Sequence, residues 1–127
     1  MALDHVGIPV ADFAKAKEFY SKALAPLGYT LKTDMAEWKA AGFSYEEKQD
    51  FWIGGGDTTS KGAHIAFVAK DKASVDTFYT EALAAGGKDN GKPGYRKEYS
   101  PGYYGAFITD PDGHNLEAVF HDPNPSE

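Results

Sequence analysis

The feature that most constrains this chain is that it repeats. Residues 5–28 align with residues 64–87 without a gap, at an offset of 59, and nine of the 24 pairs are identical. His5/His64, Asp12/Asp71, Phe19/Phe78, Tyr20/Tyr79 and Gly28/Gly87 are among them. Self-similarity of this kind comes before any local assignment, because both copies must fold as the same supersecondary unit. Two units follow, residues 1–57 and 60–122, joined through the turn-rich Gly54-Gly55-Gly56-Asp57. At 127 residues the chain has room for one such pair and for no second large domain.

Each copy supports the reading of the other. In the first, Val6, Ile8 and Val10 alternate with His5, Gly7 and Pro9, the period of a strand with one buried face. Asp12 reads as a helix N-cap, Phe13, Ala16, Phe19, Tyr20, Ala23, Leu24 and Leu27 follow at helical spacing, and Gly28 can supply a left-handed ending. The second copy repeats this with Ile65 and Phe67, then Asp71, then Val75, Phe78, Tyr79, Ala82 and Leu83 before Gly86-Gly87. Both Phe-Tyr pairs are expected in the core, with the hydroxyls at its edge. Shorter strands are expected over 29–35, 38–45 and 50–54, and over 103–109 and 115–120. The last two are joined by the tight-turn sequence Asp110-Pro111-Asp112-Gly113. The glycine- and proline-rich stretch 88–102 reads as a loop with at most one interrupted strand. The unit is thus βαβββ, present twice.

Composition removes several function classes. There is no cysteine, so disulfide scaffolds, Cys-ligated zinc, iron–sulfur clusters and thiol nucleophiles are all excluded. A net charge of −6 argues against nucleic acid, which needs clustered basic residues. The opening Met1-Ala2-Leu3-Asp4-His5 lacks the basic and apolar regions of a secretory signal, and no apolar run approaches ~18 residues. A soluble, cytoplasmic protein with no membrane partner is expected.

Alternation also selects candidate site residues. His5 lies opposite Val6, Ile8 and Val10; His64 lies opposite Ile65 and Phe67; Glu117 sits between Leu116 and Ala118. All three should leave the sheet on the face away from the helices, beside the small Gly7 and Ala66. Two imidazoles and a carboxylate on one concave face suit a divalent ion with open positions, and without cysteine the candidates are Mn, Fe, Ni, Co or Zn. The residues alone leave a second reading open, that these are hydrogen-bonded structural side chains. Asp50, Trp52 and Gly54 should share the same face, with Trp52 as an apolar pocket wall. Tyr103, Tyr104 and Arg96 complete the candidate substrate pocket, Arg96 as a partner for a carboxylate or phosphate.

These residues resemble the vicinal oxygen chelate superfamily, which includes glyoxalase I, bleomycin-resistance proteins, fosfomycin-resistance thiol transferases and extradiol dioxygenases. The resemblance runs through Leu3-Asp4-His5-Val6, Phe19-Tyr20, Leu27-Gly28, Gly62-Ala63-His64-Ile65 and the closing run from Asp110 through Glu117. Phe51-Trp52-Ile53 and Pro101 through Phe107 look closest to the small glyoxalase-like subgroup. The resemblance implies an α+β fold, two βαβββ modules forming a cupped mixed sheet with helices on the outer face. It implies a divalent metal held by His5, His64 and Glu117, with Glu117 also catalytic. The fourth ligand position, acidic in typical glyoxalase I, falls on Trp52, which cannot replace a carboxylate; Asp50 could do so only if the strand register shifts. The implied activity is metal-dependent chemistry on a small oxygen-rich substrate, of lyase/isomerase, thiol-transferase or dioxygenase type. The alternative is metal-free binding of a small molecule, as in bleomycin resistance. A homodimer is the expected assembly.

Overall fold

The computed structural model describes residues 3–56 and 62–125. The first copy comprises β1 (Val6–Val10), α1 (Phe13–Leu24), β2 (Tyr29–Met35), β3 (Ala40–Tyr45) and β4 (Lys48–Gly55). The second comprises β5 (His64–Val68), α2 (Lys72–Ala84), β6 (Lys88–Tyr95), β7 (Tyr103–Thr109) and β8 (Asn115–His121). This is the α+β, twice-βαβββ architecture expected from the repeat. The strands form two four-stranded mixed sheets with matching order, β1-β4-β3-β2 and β5-β8-β7-β6. In each, the first strand runs parallel to the last and the remaining pairs are antiparallel.

Both helices start where an aspartate satisfies free N–H groups. Asp12 accepts from the Lys15 N–H at 3.1 Å, and Asp71 accepts from the Ser74 N–H and hydroxyl, each at 2.7 Å. Helix α1 ends at Leu24, before Pro26; a 3-10 turn, Ala25–Leu27, carries the chain on to Gly28 at φ 95°. Its buried stripe of Phe13, Ala16, Phe19, Tyr20, Ala23 and Leu24 packs on the apolar face of the first sheet, and Val75, Phe78 and Ala82 of α2 do the same in the second. One core runs through both copies: the Phe67 ring of β5 meets Phe51 at 5.3 Å and Tyr29 at 5.4 Å, edge to face in both cases.

A polar clamp also ties the copies together. The Tyr20 hydroxyl, expected at the core edge, is instead fully buried and donates to Asp110 Oδ2 in the β7–β8 turn. The other carboxylate oxygen takes the N–H groups of Asp112 and His114, at 2.9 and 2.8 Å. His114 Nδ1 accepts from the Ala63 N–H at 2.8 Å, so Nε2 carries the ring proton and donates to the Pro9 carbonyl at 2.8 Å. Asp112 Oδ1 accepts from the Ala11 N–H at 3.0 Å. The turn of the second copy is therefore bonded into β1 and α1 of the first.

Two local expectations change. Trp38 belongs to a 3-10 turn, Ala36–Trp38, closed by Lys39 in a left-handed conformation, so β3 begins only at Ala40. The stretch 88–95 is a strand despite Gly91, Pro93 and Gly94, because register shifts on both sides of Gly91 absorb the irregular residues. Among the described residues no helix is long and apolar enough to cross a membrane.

Candidate functional site

The second sheet holds a buried carboxylate on its helix-free side. Glu117 on β8 lies between Ala66 of β5 and Phe107 of β7 in register, and it is only 2% exposed. His64, two residues before Ala66, shares that face, and its Nε2 is 2.9 Å from Glu117 Oε1. The Tyr103 hydroxyl donates to the other oxygen, Oε2. Tyr103 is four residues from Phe107 along β7 and reaches back by laying its ring over Gly105, where an added Cβ would stand 3.1 Å from the ring. His121 and Tyr99 meet the same ring edge-on at 5.5 and 5.0 Å. A half-exposed imidazole and a buttressed phenol thus hold one desolvated carboxylate in a single orientation.

Arg96 belongs to this neighbourhood. Its guanidinium carbon lies 5.3 Å from the centroid of Phe107, the residue paired with Glu117. It donates to the carbonyls of Gly94 and Lys92 at 3.0 and 2.8 Å, which fix its plane. Tyr104 is elsewhere. One residue on from Tyr103, it points to the helix side and donates to Asp76 of α2 at 2.7 Å. Burial, and then Asp76, push its phenol up to about 12.

The first sheet arranges its candidates differently. His5 precedes β1 with its side chain 58% exposed and its Nδ1 2.8 Å from Asp4 Oδ1. The Lys48 ammonium, 2.6 Å away, and then His5 hold the Asp4 carboxyl down to about 2. His5 does not join His64 and Glu117, and among the described residues no three His, Asp or Glu side chains are grouped to hold a metal. Trp52 lies over Gly42, where an added Cβ would come within 2.9 Å of the indole, and its Nε1 donates to the Gln49 carbonyl at 3.2 Å. Asp50 does not accompany it. Tyr45 pairs with Lys48 and Phe43 with Phe51, so three steps on β4 face two on β3, and this bulge breaks the simple alternation. Asp50 lines a cavity with Tyr29, Tyr45 and Phe51, and its Oδ1 is buried without a hydrogen-bond partner.

Sequence reasoning did not single out Phe107 or Tyr29. Phe107 had a usable signal, since it shares the parity of Tyr103 on the same strand; Tyr29 had none.

The sequence model of the family described as "Glyoxalase/Bleomycin resistance protein/Dioxygenase superfamily" matches residues 2–118. A search of curated proteins gave no significant match. Among solved structures, the chain is similar to a glyoxalase/bleomycin resistance protein from Albidiferax ferrireducens T118 (TM-score 0.78, 22% identity, covering 96% of this chain and 100% of that one). It is similar to a glyoxalase-related enzyme from Fulvimarina pelagi (TM-score 0.74, 14% identity, 94% and 88%). It is also similar to a genomically encoded fosfomycin resistance protein from Listeria monocytogenes (TM-score 0.72, 19% identity, 97% and 95%). At these identities the likeness is one of fold.

Proposed function

The chain belongs to the glyoxalase/bleomycin resistance protein/dioxygenase superfamily, and from that premise we propose that it acts, with a divalent metal, on a small oxygen-rich substrate bound over the His64–Glu117 pair. The observation that carries this reading is the 2.9 Å approach of His64 Nε2 to a buried Glu117 oxygen on a face left open by Ala66. An imidazole nitrogen and a carboxylate oxygen suit Mn, Fe, Ni, Co or Zn. The pair supplies two ligands, and the third in this reading is His5 from a second copy, which its exposure at the start of an edge strand allows. Such a metal, when bound, would polarise substrate oxygens and stabilise a developing oxyanion. Tyr103 fixes the carboxylate by holding Oε2. Glu117 Oε1 is the atom at which a substrate proton would be taken up and returned. Phe107 gives the apolar wall, and Arg96 above it orients a carboxylate or phosphate on the substrate. A cysteine-free chain of this kind suits the cytoplasm.

The test is metal content after purification without a metal-affinity step and equilibration with each of the five ions, together with mass by light scattering. Expected are about one ion per chain, a dimer mass, and loss of the ion in both Glu117→Ala and His5→Ala. No stoichiometric binding, or binding unchanged in Glu117→Ala, overturns the proposal. A second reading, metal-free ligand binding, is favoured by Trp52 standing where the resemblance places an acid, and by the engagement of both Glu117 oxygens. In that case ligand-induced thermal stabilisation persists in chelator and weakens in Trp52→Ala.

A further inference from the structure

A second concave site lies apart from Glu117. A cavity of about 480 Å3 opens between β4 and β5, a volume within the range of small-molecule pockets. Its aromatic wall is a chain of four rings: Tyr45 to Tyr29 at 5.7 Å, Tyr29 to Phe67 at 5.4 Å and Phe67 to Phe51 at 5.3 Å. Phe51 and Phe67 are buried and form the floor, whereas Leu3 and Val68, each 73% exposed, form an apolar rim. His5 and Asp4 reach this cavity, but His64, Glu117 and Tyr103 do not.

Two carboxylates border the cavity, and they differ in what they have left to offer. Asp4 is already engaged by Lys48 at 2.6 Å and by His5 at 2.8 Å. Asp50 is not: its Oδ1 is buried with no hydrogen-bond partner, although buried carboxylate oxygens are almost always satisfied. The Tyr29 phenol beside it is pushed above its ordinary value by burial and then by Asp50, so the ring presents a neutral hydroxyl and a π face. A buried acceptor lacking a donor, against rings that attract cations through their faces, asks for a charged donor on an apolar body.

We propose that this cavity binds a small organic cation, a primary or secondary ammonium on an aryl or alkyl arm, with the ammonium on Asp50 Oδ1 and the arm against Tyr29, Tyr45, Phe51 and Phe67. The site is independent of the His64–Glu117 pair and takes the opposite charge to the anion that Arg96 would orient.

The test uses the full chain and three isosteric probes followed by calorimetry: phenethylammonium, phenethyl alcohol and phenylacetate. Saturable binding of the ammonium is expected, with the alcohol and the carboxylate weaker by roughly tenfold or more. Asp50→Asn, confirmed folded by circular dichroism, should weaken the ammonium by a similar factor, while Glu117→Gln leaves it unchanged. Should Asp50→Asn not fold, Val68→Trp at the exposed rim carries the test by obstructing entry, and loss of binding there supports the site. Equal affinity for the alcohol, an unchanged Kd in either cavity variant, or no saturable binding overturns it. So does loss of binding at concentrations where light scattering shows a dimer, because the cavity is then an interface between copies.

Discussion

Replacing Tyr20 by Phe removes one oxygen from the centre of the molecule and nothing else. That hydroxyl is fully buried and donates to Asp110 Oδ2, on a carboxylate that is 3% exposed. In Tyr20→Phe, Asp110 Oδ1 keeps the Asp112 and His114 N–H groups, but Oδ2 loses its donor where water has little access. A hydrogen bond to a charged group contributes about 1.5–3 kcal/mol. The ring stays in place against Phe19 and Phe51, so no cavity term is added. Taking the cost as about 2 kcal/mol, and about 4 °C per kcal/mol at this chain length, Tm should fall by about 8 °C. Urea unfolding should show the same loss in midpoint with an unchanged m-value. The pH dependence is a second check. Burial, and then Asp110, hold the Tyr20 phenol well above its ordinary value, while in the unfolded chain it ionises near pH 10. The stability owed to this bond is therefore whole below about pH 10 and lost as pH rises toward the folded value, so wild type and variant should converge in strong alkali. A loss under about 0.5 kcal/mol near neutral pH, within the range of ordinary surface substitutions, would refute the reasoning.

Other consequences are open to the same methods. His114→Ala strands the Ala63 N–H and the Pro9 carbonyl, and should cost about 2–4 kcal/mol in urea unfolding. Gly105→Val drives a side chain into the Tyr103 ring; metal or ligand binding at Glu117 should weaken while far-ultraviolet circular dichroism is kept. Asp71, whose carboxyl is held below its ordinary value by the Ser74 hydroxyl and N–H, contributes its cap above the unfolded pKa and loses it as pH falls; Asp71→Asn should flatten the acid limb of the stability profile. Gly42→Ala brings a methyl within 2.9 Å of the Trp52 indole, and should shift its fluorescence by displacing it.

Much of the fold was legible because it obeys the periods of strand and helix. Strands β2 and β7 fall on the expected residues, and Asp12 and Asp71 cap the helices as read. The departures occur where one residue breaks the period. Lys39 at φ 52° turns the chain just after Trp38, an aromatic whose strand preference pointed the other way. The bulge in β4 takes Asp50 away from Trp52, and a single extra residue leaves no mark in composition or spacing. The pairing of His64 with Glu117 followed from parity alone, and so should have the separation of Tyr103 from Tyr104, because neighbours on a strand face opposite sides. The Tyr20–Asp110 bond and the unpartnered Asp50 oxygen depend on how the two copies meet, which no local pattern in either copy records.

The clamp around the β7–β8 turn also bears on the order in which the protein can be made. Its bonds join Pro9 to His114, Ala11 to Asp112 and Tyr20 to Asp110, partners 105, 101 and 90 residues apart. Contacts of such long sequence separation form late and slow the search. On the ribosome, the leading half emerges with its deepest hydroxyl unanswered, and it waits for nearly the last hairpin before that interior can close. The duplicated halves therefore mature together, and the trailing turn acts as the signal that synthesis has reached its end.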